Sequence, residues 1–424
     1  MKYSAVDSVR VFVSAVANEL QQDEHVFAQF PVSRFTNLVI PRLEKLAFWA
    51  ENFPRLLSVI ANIAYIFWVP LYLLFLLLQT IGATFYISGK SALEEKEIFF
   101  ANSLVSIISS KSTHYCGKFL YSTKALEKAG PAGESLGCIR DYASLSDIRS
   151  AFLNSVRSLF IIWKDNRKRG VIFQVYPAFQ WFLTWNVLQK SKVGLKTIWI
   201  SSDRDRWAVL FDQLPINAER IIVQHGLLND PAGQAGFRNP ESLPTLLNNI
   251  YKIILLDKNS ESWYRDRVLA KESHTQFVCS KGLLPQQGSL PNAMPSSLIV
   301  GQRECLKKEC RLANYLVAAV PKVRIYLKPH PSVSTRQYEK FLDKRIRLIK
   351  DPFFFPIVSL CICNDYSTLA YLYAKNGTKV IYINEIEEET PDYLQQLLLD
   401  TLAAQAATSS AIVVPNSSTN YSSL

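Results

Sequence analysis

From Leu56 to Ser88 the chain carries no charged side chain, and Leu71 to Leu78 within it is an unbroken apolar run. One bilayer crossing takes about 20 apolar residues, so this stretch is long enough for one tilted span. Pro70 stands near its middle, where proline bends or breaks a helix. Two short helices dipping into one leaflet therefore fit the pattern as well. Arg42, Lys45 and Arg55 precede the stretch, and Lys90 and Lys96 follow it beside Glu94, Glu95 and Glu97. Neither flank has the basic excess that sets orientation. The plain alternative is a buried hairpin, but so long a charge-free stretch is rare in soluble helices. Residues 1–55 show weak helical periodicity, and Met1 to Arg10 lacks the basic-then-apolar order of a secretory signal. The expectation is an N-terminal helical region over 1–55 and a membrane-associated segment over 56–89. The later domains are expected in the cytosol, against the inner membrane.

Beyond this segment the pattern predicts a helix around 93–109, then loops at Gly117, Gly130, Pro131 and Gly133. Short apolar runs then alternate with helical stretches. Strands are expected at 171–176, 197–201, 221–223, 250–256, 275–279, 298–300, 323–327, 346–349, 358–363 and 379–383. Helices are expected at 179–189, 304–320, 335–343 and 367–375. Strand-length runs rich in Val and Ile, alternating with helices, imply parallel α/β sheets. A loop rich in Gly, Pro and Asn around 226–249 divides them into two Rossmann-like halves, 90–245 and 246–400, with a cleft between and a Ser/Thr/Ala-rich tail after 400. Ligands in such sheets bind outside the carboxyl ends of the strands.

Composition narrows the partners. Of 424 residues 49% are hydrophobic and 20% charged, which excludes a mainly disordered chain. The formal net charge is +11, and residues 301–350 hold 13 Lys/Arg against 4 acids. An anionic partner is implied, though that window lacks the interleaved aromatics and named modules of a nucleic-acid binder. Seven cysteines make no disulfide framework. Cys361-x-Cys363 and Cys305-x4-Cys310 have no further Cys/His pair at zinc spacing, so buried thiols are expected and no metal. There is no GxxxxGK[ST], GxGxxG or Gly-x-Ser-x-Gly motif.

Three elements at strand ends could carry chemistry. Gln224-His225-Gly226 closes a strand; an imidazole there titrates near neutrality and can accept a hydroxyl proton. The plain alternative is a loop histidine satisfied by a backbone carbonyl. Lys328-Pro329-His330-Pro331 closes another strand, and two prolines hold His330 rigidly beside an ammonium. That pair suits phosphate; a ligand-free turn is the alternative. Asn364-Asp365-Tyr366-Ser367-Thr368 leads into a helix, where exposed N–H groups and the dipole favour an anion and simple capping is the alternative. Asp203-Arg204-Asp205 follows a strand and reads as an ion-paired helix start rather than a metal site.

A strand ending in His-Gly, a strand ending in Lys-Pro-His-Pro, and Asp-x-Ser-Thr-Leu-Ala before a helix together resemble bacterial surface-polysaccharide glycosyltransferases. The combination is similar to capsule and lipopolysaccharide transferases such as polysialyltransferases and Kdo transferases, and to CDP-glycerol glycerophosphotransferases. The resemblance covers about residues 220–385. It implies a GT-B fold, two Rossmann-like domains facing a cleft, and a metal-independent transferase without a cofactor. The donor would be a nucleotide sugar, a CMP-linked acid sugar being favoured, and the acceptor a glycan or glycolipid. The resemblance places nucleotide contacts on His330 and Pro331, with Lys328 beside them, and phosphate contacts on Ser367 and Thr368. It places the general base on His225. Asp230, in Leu228-Asn229-Asp230, stands nearest to the acidic base element of sialyltransferases. Two rivals are a sugar-nucleotide epimerase, which would not need residues 56–89, and a non-catalytic assembly or export component.

Overall fold

The computed structural model describes residues 7–27, 53–85, 87, 93–103, 106–107, 115, 117–130, 134–164, 169–191, 194–224, 242–280, 296–301, 306–321, 323–330, 333, 335–351, 354–363, 367–382, 396 and 399–400. The chain divides into two units, Met1–Lys281 and Gly282–Leu424.

The first unit is built on a parallel sheet with β1 (Glu97–Ala101) among its inner strands. Ile98, Phe99, Phe100 and Ala101 are all fully buried. A run apolar on both faces belongs in a sheet covered on both sides. That is why the segment is a strand here, against the helix expected over 93–109; the preceding Glu94, Glu95 and Lys96 lie outside it. From β1 the chain passes to β2 (Lys118–Tyr121) and β3 (Ser135–Cys138) on one side. It returns to place β4 (Thr197–Ile200), β5 (Glu219–Val223), β6 (Lys252–Leu255) and β7 (Gln276–Cys279) on the other. The order is β3-β2-β1-β4-β5-β6-β7, every pair parallel. The reversal of direction lies between β1 and β4.

Helices α1 (Ser8–Phe27), α2 (Pro54–Phe85), α3 (Lys124–Ala129), α4 (Leu145–Lys164), α5 (Ala178–Lys190), α6 (Arg206–Gln213) and α7 (Ser260–Arg267) complete this unit. Helix α1 is part of the core rather than a separate region: Val9, Phe12 and Val16 are buried against it. Asn18 donates to the Thr245 carbonyl (2.9 Å) and accepts from the Thr245 N–H (2.8 Å). Helix α5 is apolar nearly all round and buried accordingly, as a central helix must be. The strand expected at 171–176 is instead a 3₁₀ segment, Arg169–Val175. Short apolar runs do not distinguish the two by periodicity.

Residues 56–85 of the charge-free segment lie in one continuous helix, α2, with Pro70 inside it. It is the one helix among the described residues long and apolar enough to cross a membrane.

The second unit carries β8 (Ser296–Val300), β9 (Arg324–Lys328), β10 (Arg347–Leu348), β11 (Leu360–Cys363) and β12 (Lys379–Tyr382) in the order β10-β9-β8-β11-β12, all parallel. Helices α8 (Leu306–Ala319), α9 (Thr335–Glu339) and α10 (Thr368–Lys375) connect them. Here the reversal lies between β8 and β11. Two parallel, doubly wound sheets therefore meet the α/β expectation. The division does not fall at 245/246, because β6 and β7 extend the first sheet through the β5–β6 and β6–β7 ladders. The stretch 226–249 lies in sequence between β5 and β6, which are neighbours in one sheet.

Candidate functional site

In an open parallel sheet the connections leave opposite ways at the reversal, and a crevice opens there outside the strand ends. Each unit places polar residues at that point.

In the first unit the crevice is a cavity of about 420 Å³. Its floor comes from the segments that leave β1 and β4: Asn102, Ser103 and Ser106 on one side, and Ser201, Ser202, Asp205 and Arg206 on the other. Asn102 donates to Ser202 Oγ (2.8 Å) and accepts from Ser106 Oγ (2.6 Å), which ties the two segments together. Tyr176, Gln180 and Trp207 add walls, Glu19 arrives from α1, and Phe75 and Gln79 come from α2.

Asp205 caps α6: its Oδ1 accepts from the N–H groups of Trp207 (2.9 Å) and Ala208 (3.1 Å). Both bonds fall on Oδ1. Burial, then the charges of Glu19 and Asp203, push the Asp205 carboxyl up to about 7, while the two N–H donors pull the other way. Next to it the Arg206 guanidinium is buried. It donates to the Gln174 carbonyl (2.7 Å) and Gln174 Oε1 (2.6 Å), and lies 3.3 Å from Glu19 Oε1. Glu19 Oε2 also accepts from the Arg206 N–H (3.2 Å). Asp203 is held differently, accepting from Tyr264 Oη (2.8 Å) with Arg204 at 3.7 Å. Of the Asp203-Arg204-Asp205 run, then, one carboxylate is locked in structure and the other faces the cavity. The helix-start reading is right for α6, but it misses the cavity, because Glu19 and Asn102 come from distant parts of the chain.

In the second unit the ends of β8 and β9 are clamped. The Gly301 N–H donates to the Lys328 carbonyl (2.7 Å). A Cβ on Gly301 would lie 2.8 Å from that oxygen and 2.9 Å from Pro329 Cα, so only glycine fits. His330 is half-buried directly beyond this clamp, and its carbonyl accepts from Val333 N–H (2.9 Å). Lys328 is buried. Its ammonium donates to the carbonyls of Asp351 (3.2 Å) and Phe354 (2.9 Å) and lies 4.5 Å from the Phe355 ring centre. Burial lowers its pKa to about 8, against the opposing charge of Asp351. The lysine thus straps down the segment after β10. Ser367 is the N-cap of α10 in extended conformation, and its hydroxyl makes no cap bond to its own helix. Thr368 opens that helix.

The structure thus brings Gly301, Lys328 and His330 to one strand end, with Ser367 and Thr368 after the neighbouring β11. His225, Asp230 and Pro331 lie outside the described residues. Cys310, Cys361 and Cys363 are buried free thiols, as expected. Glu127, Cys138 and Asp141 cluster near β3, but the Lys124 ammonium already fills the space, 2.8 Å from Glu127 and 2.7 Å from Asp141.

No family model matches the chain, and no curated protein matches it. Among solved structures it is similar to a glycosyltransferase from Rickettsia africae ESF-5 at 11% identity and TM-score 0.38, over 74% of this chain and 89% of that one. It is similar to the glycotransferase of kitacinnamycin at 10% identity and TM-score 0.35, over 75% and 93%. It is also similar to MurG of Acinetobacter baumannii at 11% identity and TM-score 0.31, over 76% and 96%. Likeness of this degree says nothing about chemistry, which is read from the residues at the two sheet edges.

Proposed function

We propose that the chain is a membrane-bound glycosyltransferase of GT-B type, moving a sugar from a nucleotide-activated donor to a surface polysaccharide or lipopolysaccharide acceptor. The observation that carries this reading is the coincidence, in both units, of the sheet's reversal point with an unusual set of polar groups. The second unit binds the donor. His330 and the Ser367–Thr368 start of α10 meet its phosphate, and Lys328 supplies a fixed positive charge. A CMP-linked acid sugar is the favoured donor on the motif resemblance. The first unit's cavity binds the acceptor. Its hydroxyl- and amide-rich lining, with Tyr176 and Trp207 beside it, matches a sugar.

As the acceptor oxygen bonds the anomeric carbon, Asp205 takes its proton. The bond to the nucleotide breaks, and the leaving phosphate's charge is met by fixed donors at the second sheet edge. His225 is the other candidate for the base. On this reading the chain works at the cytoplasmic face of the inner membrane.

Calorimetry of the purified protein with CMP- and UDP-sugars tests the reading. Binding of one of them, lost in His330→Ala, is expected. Transfer is expected to fall about 10²- to 10⁴-fold in the variant that removes the base, Asp205→Asn or His225→Ala. Absence of binding by every nucleotide sugar overturns the reading in favour of a non-catalytic protein.

A further inference from the structure

Helix α2 is packed against the first unit along its whole length. Leu57, Ala61, Tyr72, Leu76 and Ala83 are buried. At 1.5 Å per residue the first and last of these lie roughly 39 Å apart, more than the ~30 Å hydrocarbon core of a bilayer. Trp68 Nε1 donates to the Ile172 carbonyl (2.9 Å), and its ring meets Phe173 edge-on at 4.9 Å. A helix that crossed a bilayer would have to give up these contacts over its middle, because lipid would replace the protein there.

The opposite face of α2 is uncovered. Ile66 is 69% exposed, Leu78 59% and Phe85 82%, and no charged side chain follows Arg55 on the helix. The exposed apolar area is on the order of 1,000 Å², where the largest patch on an ordinary monomer is about 300–600 Å².

Helix α4 packs beside α2. Its own exposed residues include Arg149, Leu153, Arg157, Phe160 and Trp163, spaced three or four apart on one face, with Lys164 next to the last. Its one acid, Asp147, is buried against Lys190 at 2.6 Å. Every exposed charge on α4 is therefore basic, interleaved with large apolar rings. Arg157 lies 3.7 Å from Asp7 and stays 62% exposed. Apolar bodies beside cationic tips match the headgroup level of an anionic bilayer, not its interior.

We propose that the protein lies on an anionic bilayer without crossing it: the free face of α2 enters the headgroup–acyl boundary lengthwise, and the Arg149–Lys164 face of α4 meets the lipid headgroups. This deepens the membrane-bound part of the proposed function and stands whether or not the chain transfers sugar. It also gives Phe75 two roles, since it is exposed on α2 and lines the acceptor cavity. An acceptor anchored in the bilayer reaches that cavity without leaving the lipid.

Two measurements on the full chain decide it. Phe53→Cys and Phe85→Cys, made separately at the two ends of α2, are expressed in bacterial membranes and treated with a membrane-impermeant maleimide, native Cys279 giving the background. Labelling of both ends from the same side of sealed vesicles is expected; labelling from opposite sides overturns the proposal. The purified chain is then sedimented with phosphatidylcholine vesicles with and without phosphatidylglycerol. Tighter binding to the anionic vesicles is expected. Arg149→Gln with Arg157→Gln should weaken it about 25-fold, about fivefold per basic residue, with an unchanged thermal melt. Lys344→Gln, in the second unit, should leave it unchanged. Equal binding to both vesicle types, or a stable dimer that binds neither, overturns the proposal; the dimer would mean that a second copy covers the α2 face.

Discussion

Replacing Asp205 by Asn should make the protein more stable and less active at once. The carboxyl is raised from 3.8 to about 7 by burial and by the facing charges of Glu19 and Asp203. A shift of that size corresponds to about 4 kcal/mol. The cavity admits water that screens part of it, so about 2 kcal/mol is a fair magnitude. The folded form binds the proton more tightly than the unfolded chain. The cost is therefore absent below the unfolded value and complete above the folded one. Asparagine keeps the cap on α6 and removes the charge. The variant should match the wild type near pH 4 and gain progressively up to about pH 7, with Tm raised by roughly 4 °C above that. Thermal melts across this range, beside a transfer assay, read both effects. Glu19→Gln is the contrast. It relieves Asp205 but takes away the carboxylate beside the buried Arg206 guanidinium, 3.3 Å away, so it should lose about 3 kcal/mol. An Asp205→Asn protein no more stable than wild type above pH 7 would falsify the electrostatic account of the cavity. Undiminished transfer would remove Asp205 from the chemistry.

Three further perturbations probe the frame around the sites. Gly301→Ala sets a Cβ against backbone atoms 2.8 and 2.9 Å away; it should cost about 2–3 kcal/mol, read by denaturant unfolding, and weaken donor binding by displacing His330. Lys328→Met removes a buried ammonium whose pKa is lowered to about 8. The wild type should gain stability relative to this variant as pH rises from about 8 to 10.5, where the folded lysine sheds its proton first, and parallel pH melts check it. Asp212→Ala leaves the N–H groups of Asn248 and Asn249, now bonded to Asp212 Oδ1 at 2.8 and 2.6 Å, without their acceptor. A loss of about 2 kcal/mol is expected in denaturant unfolding.

Where the chain is legible from sequence, the reason is that a buried parallel strand needs little besides its own apolar run. The runs at 197–201, 221–223, 323–327 and 358–363 match β4, β5, β9 and β11 closely. Where the reading fails, the deciding contacts are distant. Ile98–Ala101 follows a charged turn that imitates a helix start, and only burial on both faces makes it a strand. Helix α4 draws no expectation at all, since its apolar positions serve two surfaces: Leu159 and Ile162 face the core, and Leu153, Phe160 and Trp163 face out. The same division explains the charge-free segment. Composition registers α2 as membrane-seeking but cannot tell a helix surrounded by lipid from one packed on protein along a single side. That choice lies in Tyr65, Trp68 and their partners on the 3₁₀ segment, far along the chain.

The candidate site obeys the same logic. The motif at Lys328–His330 is readable because its prolines and glycine partner act on the backbone next to them. What it could not convey is that the ammonium turns inward to two carbonyls. Asp205 is visible as a helix cap, yet its raised pKa comes from burial first and then from Glu19 across the fold. A local motif marks where a strand ends; the burial and the facing charge that raise a carboxyl's pKa are supplied by whichever elements the fold packs against it.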